Sequence, residues 1–240
     1  MEKKKIEIDI KNNGYCIVPK FINVEYAKEI RKKYYEILKT SSLHSQDEKF
    51  HFEDLKLRPW RKTAVGSSNG LGTRISQVLQ TTYIGENFFP TDSIIYLTLQ
   101  KLINLRNILT NIRQDFGSNP NYDGYWNALR FHHYPSGGGH MSQHHDSHFP
   151  KILAKSKISF IQLSLCLSNK GEHFKKGGGY VIDKANKKIY VENEDSLGSL
   201  VIFDGSYDHG VEDIDGDKVL DWTNPFGRIS LFSNLYQVLT

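Results

Sequence analysis

The chain has 240 residues, 24% of them charged, and a formal net charge of +4. This mild basicity is well below the charge density of nucleic-acid-binding proteins, so no nucleic-acid partner is expected. The length allows one domain with a core that needs no disulfides, and no apolar run approaches the roughly 18 residues that a membrane span requires.

The N-terminal half is predicted to hold a hairpin, a helix and a long loop. The segments "IEIDI" (6–10) and "GYCIV" (14–18) flank an Asn-Gly pair, which is a strong hairpin signal. An amphipathic helix is predicted over residues 24–38, with Asn23 as its N-cap. Residues 41–92 are polar with little periodicity, which predicts a lid-like segment.

A second helix is expected to begin at Thr91 or Ser93 and to end near Gly117. After residue 120 the chain changes to short apolar runs separated by turn residues, a texture that predicts an antiparallel barrel or sandwich. The expected organisation is therefore a single domain, residues 1–240, in which N-terminal strands, helices and a lid-like segment (1–120) precede a β core (121–240). The predicted strands of this core are 125–134, 141–146, 158–167, 178–183, 187–192, 199–204 and 227–238.

The segment "SGGGHMSQHHDSHF" (136–149) concentrates histidines next to an aspartate. On a strand, His144 and Asp146 point to one face and His145 to the other. His209, in "YDHGV", is a third ligand candidate. Two imidazoles and one carboxylate form the facial triad of non-heme Fe(II) oxygenases, but catalytic zinc sites use the same donors.

The segment "FGRISLF" places Arg228 and Ser230 on one face of a strand near the C-terminus. A guanidinium binds a carboxylate through two parallel hydrogen bonds, and a dicarboxylic cosubstrate that chelates a metal at one end needs such a partner at the other.

In the order H-x-D, distant His, R-x-S, the sequence resembles the Fe(II)/2-oxoglutarate-dependent oxygenases. Residues 125–238 carry the resemblance, and "NNGYCIVPKFINVEYAKEIR" is similar to the N-terminus of many members. The resemblance implies a mainly β fold with flanking helices, built on a double-stranded β-helix (jelly-roll), cupin-like core. It implies Fe(II), 2-oxoglutarate as cosubstrate, and O2. It assigns His144, Asp146 and His209 to the metal, and Arg228, Ser230 and Tyr134 to the cosubstrate.

Four further polar residues are candidates for the site. Gln162 lies in an apolar run, where a buried amide needs a partner such as a cosubstrate or substrate carboxylate. Arg130 and His132 share a strand face with Tyr134, and His148 follows the metal motif; these three are candidate substrate contacts. The segment "DGDKVLDWTNPF" (215–226) departs from the family spacing and reads as a hairpin insertion that forms a pocket wall.

The implied reaction is oxidation of a C–H bond, by default hydroxylation, of a small polar metabolite such as an amino acid or natural-product intermediate, with release of succinate and CO2. One alternative is a cupin-type isomerase or hydrolase that uses no 2-oxoglutarate, and another is a binding module without chemistry. Cys16 and Cys166 lack metal-binding spacing, so they are expected to be reduced thiols in a cytoplasmic protein. The expected partner is a small molecule, with no membrane attachment, and the sequence predicts no oligomeric state.

Overall fold

The computed structural model describes residues 3–43, 58–67, 75–146 and 161–238. These residues form four α-helices, a short 3-10 turn and twelve strands in one sheet. The helices are α1 (Lys3–Asn13), α2 (Val24–Thr40), α3 (Ile94–Leu109) and α4 (Pro120–Asp123). The strands are β1 (Tyr15–Val18), β2 (Ser42–Leu43), β3 (Trp60–Ser67), β4 (Ser76–Gly85), β5 (Tyr125–Pro135), β6 (Gly139–His144), β7 (Ile161–Cys166), β8 (Gly178–Ile182), β9 (Lys188–Tyr190), β10 (Leu200–Asp204), β11 (His209–Ile214) and β12 (Gly227–Gln237).

The predicted N-terminal hairpin is wrong in its first strand, because α1 occupies that position. Ile6 and Ile10 lie one helical turn apart and pack into the core together. Gly14 has φ +86°, and its N–H donates to the carbonyl of Ile10 at 2.8 Å. A glycine in this left-handed conformation is a common helix terminator, so the Asn-Gly pair ends a helix instead of turning a hairpin. The second predicted strand is present as β1 and pairs with β10.

Helices α2 and α3 confirm the two helix predictions. Asn23 caps α2 by accepting a hydrogen bond from a backbone N–H of the first turn. Ser93 caps α3 by accepting from the N–H of Tyr96 at 3.2 Å. The second helix is shorter than predicted, because it ends at Leu109 and not near Gly117.

The expectation of a long loop over residues 41–92 is wrong for the parts that the structure describes, and the lid-like role stays a prediction. Strands β3 and β4 form an antiparallel pair there, and β4 also pairs with β5 and β6. Several buried residues of β4 are polar, so the strand lacks the alternation of apolar and polar residues that reveals a strand in sequence. These buried polar residues are Gln77, Gln80, Thr81 and Thr82. Residues 44–57 and 68–74 lie outside the described part of the chain.

The sheet follows the order β1-β10-β7-β12-β5-β4-β6-β11-β8-β9. Its longest pairing joins β5 to β12, from Gly227 opposite Pro135 to Gln237 opposite Tyr125. Strand β11, which the sequence did not predict, begins at His209 and lies between β6 and β8. The seven predicted core strands are all present.

Strict alternation along the central strands separates a helix-packed core from a polar pocket. On β5, Leu129 and Phe131 pack against the helices, while Arg130, His132 and Tyr134 face the other way. Strands β7, β10 and β12 repeat the pattern, since one set of alternate residues joins the core. The opposite face lines a cavity, called here the central pocket, whose polar members include Arg130, His144, Asp146, Gln162, His209 and Arg228.

Residues 215–226 form turns without strands, so the predicted hairpin insertion is wrong. None of these residues lines the central pocket, and the prediction that they form its wall is also wrong. The segment is anchored by Asp215, whose carboxylate accepts hydrogen bonds from Ser136 Oγ and from the N–H groups of Lys175 and Lys176.

Two expectations from composition concern thiols and membranes. Cys16 and Cys166 are both buried free cysteines, as predicted. Among the helices that the structure describes, none has the length and apolar character needed to cross a bilayer.

Candidate active site

The three predicted metal ligands meet at the rim of strands β6 and β11. Asp146 follows β6 by two residues, and His209 pairs in register with His144. Each residue offers one ligand atom, and these atoms lie within 4.8 Å of one another. The imidazole centroids of His144 and His209 are 4.4 Å apart, and His209 Nε2 lies 3.7 Å from Asp146 Oδ2. The spacing fits one shared metal ion.

Backbone carbonyls orient both imidazoles. His144 Nδ1 lies 2.8 Å from the carbonyl of Ser142, and His209 Nδ1 lies 2.9 Å from that of Tyr207. A carbonyl only accepts, so in the neutral form of either ring Nδ1 carries the proton and Nε2 presents its lone pair. Burial lowers the pKa of His144 to about 4, and the neighbouring His209 adds to the effect. Neutral imidazole, the form that binds metals, is therefore the resting form of His144 at neutral pH.

Asp146 is oriented by the side-chain amide of Gln162, for which the sequence predicted a different role. Gln162 Nε2 donates to Asp146 Oδ2 at 2.9 Å, and Asn234 Nδ2 donates to Gln162 Oε1 at 3.0 Å. The backbone N–H of Asp146 donates to the carbonyl of Gly205. Gln162 was expected to meet a cosubstrate or substrate carboxylate, but here its donor serves the candidate metal ligand.

Arg228 has a buried acidic partner that sequence reasoning missed. Its Nε and Nη2 lie 2.7 and 2.6 Å from Glu192 Oε1, and both side chains are buried. Glu192 is held in turn by the N–H of Gly179, 2.6 Å from its Oε2. A Cβ at position 179 would lie 2.8 Å from Arg228 Nη2, so any other residue there would require the guanidinium to shift. Nothing in the sequence "YVEN" distinguishes this glutamate from a solvated one.

The ion pair leaves part of the Arg228 guanidinium available. A guanidinium has five N–H groups. Glu192 takes one on Nε and one on Nη2, and Ser230 Oγ accepts from Nη1 at 3.2 Å. One N–H on each terminal nitrogen remains available to a second carboxylate, and these two groups are called here the fork of Arg228.

Tyr134 and His132 lie beside this fork. The Arg228 Cζ atom is 5.3 Å from the centroid of the Tyr134 ring, and Tyr134 Oη lies 3.4 Å from His132 Nδ1. Burial, together with the charges of Arg130 and Arg228, holds the pKa of His132 well below its usual range. His132 is therefore a neutral hydrogen-bonding group of the central pocket.

Two other histidines of this segment, His140 and His145, have partners away from the metal position. His140 Nε2 lies 2.9 Å from Ser76 Oγ, and His145 is exposed and lies 3.3 Å from Asp208. His148 falls outside the described residues. Arg130 does line the central pocket, as expected.

No protein-family model matches the sequence, and no curated protein matches it significantly. The structure is similar to several solved ones. It matches a Pseudomonas putida prolyl-4-hydroxylase with a TM-score of 0.56 at 15% identity, covering 98% of each chain. It matches the non-heme alpha-ketoglutarate-dependent epimerase SnoN from nogalamycin biosynthesis with a TM-score of 0.55 at 9% identity, covering 98% of this chain and 82% of that one. A prolyl hydroxylase from Trichoplax adhaerens, solved with a hypoxia-inducible-factor peptide fragment, gives a TM-score of 0.56 at 13% identity and coverages of 98% and 88%.

These likenesses extend over almost the whole chain and show its fold. The mostly antiparallel sheet with few helices is the jelly-roll, or double-stranded β-helix, architecture of those proteins. The predicted fold class is confirmed.

Proposed function

We propose that the chain is an Fe(II)- and 2-oxoglutarate-dependent dioxygenase that oxidises a C–H bond of a small molecule. The observation that carries the proposal is the meeting of His144, Asp146 and His209 in a pocket that also contains the fork of Arg228. The structural neighbours support it, since SnoN was solved with Fe3+ and alpha-ketoglutarate.

The donor set fits iron. His144, Asp146 and His209 would hold the ion, and two imidazoles with one carboxylate are the donor set of non-heme Fe(II) oxygenases. Iron and 2-oxoglutarate together supply the oxidising chemistry. In the balanced reaction, O2, 2-oxoglutarate and R–H give succinate, CO2 and R–OH.

The protein binds and orients the reactants. Arg228 and Ser230 hold the distal carboxylate of 2-oxoglutarate, and the neutral phenol of Tyr134 lies next to it. Val201 and Phe203 form an apolar wall that excludes water from the reacting centre. We assign Gln162 to the orientation of Asp146, and not to the cosubstrate.

The substrate in this proposal is a small polar metabolite, such as an amino acid or natural-product intermediate. Hydroxylation is the default outcome. Desaturation or ring formation would use the same residues, since both begin with removal of hydrogen from the positioned carbon.

The test begins with anaerobic protein, Fe(II) and 2-oxoglutarate. One Fe(II) per chain should bind, with the weak visible absorption band of a metal-chelated 2-oxoacid, and admission of air should produce succinate. His209→Ala should bind iron more weakly and lose the band. Unchanged iron affinity and an unchanged band in this variant would remove His209 from the site.

One observation favours the cupin-type alternative: Arg228 already has a carboxylate partner in Glu192. Arg228→Gln separates the two functions. Under the main proposal, loss of a charge-assisted bidentate contact costs about 1.5 to 3 kcal/mol, so 2-oxoglutarate should bind roughly tenfold to a hundredfold more weakly while iron affinity stays nearly unchanged. Arg228→Lys should recover only part of the affinity, because lysine lacks the planar fork. Wild-type affinity for 2-oxoglutarate in Arg228→Gln would favour the alternative.

A further inference from the structure

A second guanidinium faces the central pocket. Arg130 is stacked on Phe232, with its Cζ 5.2 Å from the ring centroid, and its Nη1 donates to Tyr236 Oη at 3.1 Å. Its Nε is buried and has no hydrogen-bond partner in the structure. The ring and the phenol fix the plane of the guanidinium, so its remaining N–H groups keep a defined direction.

The charge of Arg130 is unmatched within the described part of the chain. No carboxylate there lies within ion-pair distance of it, whereas Arg228 is paired with Glu192. Asp146 attracts Arg130 electrostatically without contacting it, and its carboxylate is a ligand of the proposed metal. A cation removed from water without a partner is costly, so the pocket is complementary to an anion.

Arg130 and Arg228 occupy separate positions along the sheet that lines the pocket. On the paired strands β5 and β12, Arg130 is opposite Phe232 and Tyr134 is opposite Arg228. Four residues of strand separate the two positions, or about 13 Å along the sheet at about 3.3 Å per residue. With the distal carboxylate of 2-oxoglutarate assigned to Arg228, the free N–H groups of Arg130 are left for another anionic group.

We infer that Arg130 binds a carboxylate of the primary substrate, so that the substrate is a carboxylic acid recognised through two parallel hydrogen bonds. This inference rests on the proposed function, because it takes the fork of Arg228 as the cosubstrate site. Arg130 lines the pocket, and a planar carboxylate matches the paired N–H groups of a guanidinium.

The first experiment uses anaerobic protein loaded with Fe(II) and 2-oxoglutarate. Its probes are the twenty L-amino acids and short linear monocarboxylic acids, each paired with its carboxamide. Binding is screened by the thermal unfolding midpoint, because a ligand that binds only the folded state raises it, and affinities are then measured by titration calorimetry. At least one acid should raise the midpoint, and its amide should not. Amides as effective as acids, or no effect of any acid, would overturn the inference.

The second experiment measures the affinity of each acid that binds wild type for variants of the protein. In Arg130→Gln its dissociation constant should rise roughly tenfold to a hundredfold, with a smaller rise in Arg130→Lys. Arg113→Gln removes the same charge from an exposed position and should bind the acid as wild type does. Equal affinity in Arg130→Gln and Arg113→Gln would contradict the inference. The 2-oxoglutarate absorption band distinguishes the two failures: its absence in wild type refutes the proposed function, while its persistence in Arg130→Gln with unchanged acid binding refutes only the role of Arg130.

Discussion

Glu192 gives Arg228 a fixed direction and also cancels its charge. The glutamate is itself held by the N–H of Gly179, so the guanidinium is oriented by a rigid chain of contacts. Under the proposed function, Arg228 therefore binds the cosubstrate carboxylate as a member of a neutral pair. The Arg228–Glu192 pair therefore favours cosubstrate binding by orienting the guanidinium more than by attracting the negative charge of the carboxylate.

Replacement of Glu192 by Gln should separate these two effects. Removal of one partner of a buried ion pair costs about 3 to 5 kcal/mol, because the other charge stays buried without compensation. The thermal midpoint of Glu192→Gln should fall, and 2-oxoglutarate should raise it by more than it raises that of wild type, since the ligand supplies the missing negative charge.

The matched control is the double variant Arg228→Gln, Glu192→Gln, which has no charge at either position. It should recover much of the lost stability and show little response to 2-oxoglutarate. An equal response to 2-oxoglutarate in wild type and Glu192→Gln would mean that the cosubstrate does not contact Arg228.

Gln162 is predicted to act on the metal through Asp146. Loss of a hydrogen bond that orients a metal ligand typically weakens metal binding about tenfold to a hundredfold. Gln162→Leu should therefore bind Fe(II) more weakly by that factor in a competition with a chelator of known affinity. Gln100→Leu removes a comparable hydrogen bond, from Gln100 to Glu86, outside the central pocket and should bind Fe(II) as wild type does. Equal iron affinities in the two variants would show that the hydrogen bond from Gln162 to Asp146 does not contribute to metal binding.

At the scale of elements, the junction of α1 and β1 depends on Gly14. Its φ of +86° disfavours any L side chain, while a Cβ there would make only ordinary contact with Tyr207 at 3.6 Å. Gly14→Ala should lower the free energy of unfolding by about 1 kcal/mol in urea denaturation. Gly14→Asn should cost less, because asparagine tolerates the left-handed conformation better. The reverse order of the two variants would contradict the helix-end role.

The same junction shows why sequence patterns predicted some elements and not others. Asn-Gly serves both hairpins and helix ends, and the choice depends on the tertiary contacts of Ile6 and Ile10, which no local pattern contains. Strand β4 was missed because its buried positions are filled by Gln and Thr.

The candidate metal ligands were predictable because strand alternation places His144 and Asp146 on one face within a single motif. Their partners were not. Glu192 meets Arg228 across 36 residues of chain, and Gln162 meets Asp146 only because β7 reaches the end of β6. Sequence periodicity predicts which face of a strand a residue occupies, but only the folded structure shows which residues it contacts. The boundary between the two parts of the predicted domain stays a prediction.

At the scale of the whole molecule, acid stability should depend on a histidine away from the pocket. His133 is fully buried between the helices and the sheet, and its ring lies edge-on to Tyr34 and Tyr35. Burial lowers its pKa to about 4. An unfolded histidine has a pKa of about 6.5, so between these values the unfolded state binds more protons and the free energy of unfolding falls as the pH falls.

The contribution of His133 should amount to about 3 kcal/mol, fully present above pH 6.5 and lost by about pH 4. His133→Phe has no titrating group at this position. Between pH 7 and pH 4 its free energy of unfolding should therefore decrease by about 3 kcal/mol less than that of wild type. Urea denaturation at a series of pH values measures the difference. Parallel curves for the two proteins would show that His133 takes up its proton at the same pH in the folded and the unfolded state.

The pairing of β5 with β12 has one more consequence, for the choice of carbon atom. Arg130, His144 and His209 lie on strands and Asp146 follows β6 by two residues, so the distance from the bound substrate carboxylate to the reacting centre is set mainly by backbone. Under the two proposals, the oxidised carbon therefore lies at a fixed distance from the substrate carboxylate. A homologous acid longer by one methylene should then be oxidised at the same distance from its carboxylate, leaving the extra carbon beyond the new hydroxyl group.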